Sequence, residues 1–164
     1  LALCAAALDL AGFEGDARDA VETALDGGKA LEHFARMVAL LGGPADFVER
    51  LDSHLVPAPI IRDVRAPVTG TVAAIDTRGV GMAVVALGGG RRLPTHTIDH
   101  RVGFDRLAGL ASEISEHGVL ARLHAADEAT AAEAERRLLA AYAIGESGTA
   151  HPLLADRLAP PETP

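Results

Sequence analysis

Gly88-Gly89-Gly90 followed by Arg91-Arg92 is the run in this 164-residue chain whose residue types most plainly could do chemistry. Glycine amides and guanidinium forks together can cradle a phosphate. Their position argues against a phosphate loop. Such loops precede a helix and use its positive N-terminus, whereas here the apolar run Gly79 to Leu87, free of breakers after Gly81, predicts a helix that the glycines follow. At that end a left-handed glycine stops the helix and arginines complement its negative pole. Two readings stay open: a capped helix end, and a loop lying over the site of a neighbouring domain.

His96 to His100, HTIDH, is the second candidate. On a helix, imidazoles four apart share a face and can hold zinc. The surrounding Thr, Ile and Val favour a strand over Thr97 to Phe104, where two such residues stand about 13 Å apart. No cysteine cluster accompanies them, and no metal site is expected. His33, His54, His117, His124 and His151 are scattered singly, and no Ser–His–Asp or paired-carboxylate arrangement can be argued from spacing. A third run, APVTGTV from Ala66 to Val72, resembles the first hairpin of biotinyl and lipoyl carrier domains. Those domains carry their group on a hairpin-tip lysine. The single lysine here, Lys29, lies in the helical half, so the resemblance implies a small barrel-like sandwich without a prosthetic group.

These runs must be positioned by two dissimilar halves. Leu1 to Leu10 reads as a buried helix ended by Gly12. Asp16 is placed to cap a second helix, ARDAVETALD, that stops at Gly27-Gly28. KALEHFARMVALLGG comes next, with Leu31, Phe34, Met37, Val38 and Leu41 at helical spacing on one face. Gly42-Gly43-Pro44 stops it, and Asp46 begins a short helical turn. Val56 to Pro59 carries two prolines and is the predicted boundary. Beyond it Ile60 to Val64, Val68 to Ile75, Thr97 to Phe104 and Val119 to His124 read as strands. Asp127 caps a helix running through Tyr142. The expected class is α+β: a helical segment over residues 1–55, a small α+β domain over 56–158, and a frayed proline-rich tail over 159–164.

Composition narrows the function. Hydrophobic residues make up 49% and charged residues 23%, a globular balance, while aromatics at 3% leave a core of Ala, Leu, Val and Ile. A net charge of −8 argues against nucleic acid, whose binders display clustered positive charge, and against a basic membrane-surface helix. LALCAAALDLAG is interrupted by Asp9 and too short to span a bilayer. One cysteine, Cys4, forms no internal disulfide, which suits a reducing cytoplasm. The opening at Leu1, without Met or an N-capping residue, suggests part of a larger polypeptide.

Four blocks in order carry a family resemblance. ALDGGKALEHFARMVALLGGPADFVE (Ala24 to Glu49) is similar to the helical stretch before the C-terminal domain of thymidine phosphorylases, in the pyrimidine nucleoside phosphorylase family. VAAIDTRGVGMAVVALGGGRR, TIDHRVGF and LARLHAADE resemble blocks of that C-terminal domain. The resemblance implies a pentosyltransferase of nucleoside salvage. Thymidine and inorganic phosphate would give thymine and 2-deoxyribose 1-phosphate in a homodimer, with no cofactor, nucleic acid or membrane involved. It further implies that the phosphate and pyrimidine ligands lie in an earlier, Ser/Gly-rich part of the family's polypeptide, so no catalytic residue is expected in this chain. Only Gly88, Gly89, Gly90, Arg91 and Arg92 match a segment that approaches the substrate cleft.

Overall fold

The computed structural model describes residues 1–91, 93–156 and 158. Contacts divide the chain into two compact units: Leu1–His54 with the described residues from His151 onward, and Leu55–Ala150. Arg92, the final glycine-loop residue of the sequence reading, and the tail 159–164 lie outside the described residues.

The first unit is helical: α1 (Ala2–Leu10), α2 (Ala17–Asp26), α3 (Lys29–Leu40) and the single turn α4 (Leu51–His54). α1 starts at Leu1 with no side-chain cap. α2 starts where the sequence indicates, because Asp16 accepts the Asp19 amide at 3.0 Å, which satisfies an orphan N–H of the first turn. Burial departs from expectation. α1 is a helix without a buried residue, and the α3 stripe of Leu31, Phe34, Met37 and Leu41 is exposed. Helical periodicity states which residues share a face; a buried face also requires something packed against it. Near the end of the unit Phe34 meets Phe47 at 6.1 Å and Phe47 stacks on His54 at 6.0 Å. His54 Nε2 also lies 2.9 Å from Asp46 Oδ1.

The second unit holds β1 (Ile60–Arg65), β2 (Gly70–Ile75), α5 (Thr77–Leu87), β3 (Gly103–Asp105), β4 (Glu113–Ile114), β5 (Val119–Ala125), α6 (Glu128–Ala141) and β6 (Tyr142–Gly145). It is an α+β domain with two three-stranded antiparallel sheets, ordered β1-β5-β3 and β4-β2-β6. Several element boundaries differ from the sequence reading: α5 starts at Thr77 rather than Gly79, β1 runs to Arg65 and β5 to Ala125, and three larger differences have a visible cause. The Thr97–Phe104 strand shrinks to Gly103–Asp105, because Asp99 donates its amide to Gly88 O and binds Arg101 with its carboxylate. Those bonds replace an extended ladder. β2 begins at Gly70 rather than Val68, since Ala66 exchanges backbone bonds with His117 and Gly118 in front of it. α6 ends at Ala141, and Tyr142 turns directly into β6.

The core suits a chain with few aromatics. Val64, Val72, Leu120, Leu123 and Leu138 are fully enclosed, together with Ala83, Ala121, Ala125, Ala131 and Ala134. α5 and α6 pack on each other through small residues, and a Cβ at Gly79 would come 3.2 Å from the Ala141 methyl. Interiors are packed to crystal density, so such a contact tolerates no added volume. Both helices start on caps: Asp76 accepts the Gly79 amide at 3.0 Å and Asp127 the Thr130 amide at 2.8 Å. Arg62 then ties β1 to α6, donating to Glu128 and Glu135 at 2.7 Å each.

Leu123→Ala removes a fully enclosed side chain from the central strand. It should lower the stability of the second unit by about 2–5 kcal/mol, measured as a shift of its urea midpoint with unchanged slope. Ala134→Leu should destabilise the same unit by overpacking, by about 1–3 kcal/mol.

Candidate functional site

The glycine run is a helix terminator built in full. Gly88 sits at φ +93°, a left-handed conformation that costs a glycine little and other residues about 1 kcal/mol. Its amide donates to Val85 O at 3.1 Å, and that of Gly89 to Val84 O at 3.0 Å. This paired pattern is the Schellman motif, which satisfies carbonyls the helix leaves unpaired. Gly89 and Gly90 are glycines for a different reason. A Cβ on Gly89 would come 2.9 Å from Val84 Cγ1, and one on Gly90 would come 2.7 Å from Val85 Cγ2, so the chain folds back tightly over the last turn of α5. Of the two sequence readings, the capped helix end is present in the structure.

The loop then leaves an open depression. A cavity of about 580 Å³ lies between the end of α5, Gly88, Gly90, the Thr95–Thr97 segment and Thr130 of α6. Its polar groups are threonine hydroxyls and the His96 imidazole over an apolar floor of Val85, Ala86 and Leu87. Thr130 Oγ1 is already committed to Asp127. Arg91, the described arginine of the run, is exposed. His96 and His100 lie in irregular chain rather than on a strand. Among the described residues no group of three or more His, Cys, Asp or Glu could hold a metal ion.

One ionic cluster escaped the sequence reading. On the partly exposed face of the first sheet, Arg122 of β5 forms a fork onto Asp105 of β3, with Nε at 3.0 Å and Nη2 at 2.9 Å. His124 Nε2 stands 3.4 Å from the same carboxylate, and Asp63 of β1 lies in register opposite Arg122. The Arg122 fork, and after it His124, hold the Asp105 pKa down at about 2 against the opposing effect of desolvation. The sequence reading already placed a strand over Val119 to His124. Which carboxylates faced its charges depended on strand register, which the sequence leaves open. The cluster is internally paired and works as a cross-strand lock. Tyr142 completes the hidden set: its hydroxyl donates to Ala108 O at 2.9 Å, and burial raises its pKa.

Residues 71–145, from β2 to β6, match the model of the pyrimidine nucleoside phosphorylase C-terminal domain. The glycine loop, the Asp105–Arg122 lock and Tyr142 all fall inside that match. Similarity to whole proteins extends further. The chain is 45% identical over 161 residues to a thymidine phosphorylase of Burkholderia cenocepacia strain HI2424, covering 96% of this chain and 37% of that protein. It is 47% identical over 123 residues to a thymidine phosphorylase of Colwellia psychrerythraea strain 34H, covering 75% of this chain and 28% of that protein. The chain spans between 28% and 37% of the length of these curated relatives. Residues 71–145 thus match that C-terminal domain, and the chain corresponds to the C-terminal portion of thymidine phosphorylases.

Two measurements check the geometry. Gly88→Ala forces a Cβ into left-handed backbone and should destabilise the second unit by about 1 kcal/mol, read as a lowered Tm. Asp105 is charged at lower pH in the folded chain than when unfolded. Its contribution is therefore fully present above the ordinary carboxylate range and is lost as pH falls through about 4 toward about 2. Asp105→Asn should lower stability at neutral pH, where that contribution is fully present, and flatten the acid-side decline.

Proposed function

We propose that this chain serves as the C-terminal part of a thymidine phosphorylase, in which thymidine and inorganic phosphate yield thymine and 2-deoxyribose 1-phosphate. The similarity carries the reading: 45% identity over 96% of the chain to a protein of that name. The exposed apolar faces of α1 and α3, with Leu3, Leu10, Leu31, Phe34, Met37 and Leu40 open to solvent, support a chain that packs against further polypeptide. Phosphorolysis needs fixed donors for the attacking phosphate and for the pyrimidine as charge develops on it. The described residues offer no such constellation, and the ion pairs among them are satisfied by one another. In this reading the chemistry resides outside the chain, no cofactor takes part, and the working enzyme is a cytoplasmic homodimer.

Within that arrangement the glycine loop has the one cleft-directed role. In this reading Gly88, Gly89 and Gly90 shape the turn beyond which Arg91 or Arg92 touches the mouth of the cleft, where a guanidinium can meet phosphate. The alternative is a non-catalytic structural, interaction or ligand-binding module of barrel-sandwich type; the exposed apolar helices favour an interaction role.

The 164-residue chain alone should show no phosphate-dependent release of thymine from thymidine in an absorbance assay. A polypeptide that also includes the part corresponding to the rest of its relatives should show it. Turnover by the chain alone would overturn the placement of the chemistry. In the longer polypeptide, replacing both Arg91 and Arg92 with Ala should lower kcat/KM by about tenfold, the worth of about one charge-assisted contact. Unchanged kcat and KM would remove the loop from the cleft.

A further inference from the structure

The two ends of the glycine loop meet. The Asp99 amide donates to Gly88 O at 3.0 Å, so the chain that leaves the α5 cap returns to it. The Asp99 side chain then fixes the turn beyond the loop. Its Oδ1 accepts the Arg101 amide at 3.0 Å and Arg101 Nε at 2.9 Å, while Oδ2 accepts Nη2 at 2.8 Å. One residue therefore closes the neck with its main chain and locks the exit turn with its carboxylate. The Arg101 hydrogen bonds hold that carboxylate charged down to a pKa of about 2. Ile98 and Asp99 are half-buried, whereas Leu93 to Thr97 are exposed. Val102, just past the turn, lies where a Cβ on Gly89 would come within 3.4 Å.

An exposed ion pair contributes little to overall stability. A carboxylate that engages three donors within two residues must therefore matter locally, through the path it imposes on the backbone. We propose that Asp99 is a positioning residue: with Arg101 it sets the exit of the Gly88–Asp99 loop and thereby the placement of Arg91 at the substrate cleft. Asp99 does not itself touch substrate. The proposal rests on the functional reading above for the cleft and on the geometry alone for the clamp.

Hydrogen exchange on the 164-residue chain tests the clamp without any activity. Asp99→Ala should speed exchange across residues 89–99 by about tenfold and leave β5 and α6 amides unchanged, as for a local opening. Asp99→Asn keeps an acceptor for the Arg101 amide and should recover most of the protection. Equal exchange in wild type and Asp99→Ala would overturn the clamp. In the longer polypeptide, Asp99→Ala should raise KM by about five- to tenfold with kcat within about twofold, the pattern of lost binding rather than lost chemistry, and Asp99→Asn should fall between. Faster exchange with unaltered KM would overturn the positioning role. Absence of thymidine phosphorolysis in the wild-type longer polypeptide would sink the functional reading, and the exchange result would still decide the clamp.

Discussion

Burial of β5 between β1 and β3 is the contact on which the second unit depends. Leu120, Ala121, Leu123 and Ala125 are fully enclosed, while Arg122 and His124 reach the partly exposed face. Those two side chains meet Asp105 of one neighbouring strand, and Arg122 faces Asp63 of the other. Because side chains alternate along a strand, slipping the register by one residue would bury Arg122 and expose Leu123. The apolar face and the ionic face thus specify the same register independently. α6 packs on this sheet, Arg62 ties it to β1, and α5 packs on α6.

Low aromatic content sets how the remaining elements approach. Without large rings to fill space, layers must come close, and they do so through alanine and glycine: Gly79 against Ala141 between the helices, Gly89 and Gly90 over the end of α5, with Ala83, Ala131 and Ala134 enclosed in the interior. The glycine run that resembles a phosphate cradle is therefore first a packing solution. A loop that leaves a helix end so tightly has its direction set by the cap. The Asp99 amide returning to Gly88 sets the other end, and the exposed middle of the loop is left free for contact with whatever adjoins it.

The two units differ in how completely each satisfies its own apolar surface. The second has a continuous core from Val64 to Tyr142. The first contains one buried residue, Ala17, among its helices, although its apolar residues recur at helical spacing. This contrast gives physical content to the family relation. A helical stretch whose stripes stay largely exposed, with Phe34 on Phe47 as the contact within the unit, is consistent with a chain spanning 37% of the length of its Burkholderia cenocepacia relative.

Local rules made much of this protein legible in its sequence. Asp16 and Asp127 marked helix starts because a carboxylate there accepts an otherwise orphaned amide, and Gly88 marked a helix end because left-handed backbone favours glycine. Four ordered sequence blocks sufficed to indicate the family. Tertiary structure alone decided which faces were covered, so α1 and the α3 stripe read as apolar helices in either case. It also decided strand pairing, and with it β4, β6 and the Asp105–Arg122–His124 cluster, whose members are brought together by register across distant strands. The HTIDH run turned from strand to clamp for the same reason: Asp99 found Gly88 and Arg101, contacts that β propensity does not encode.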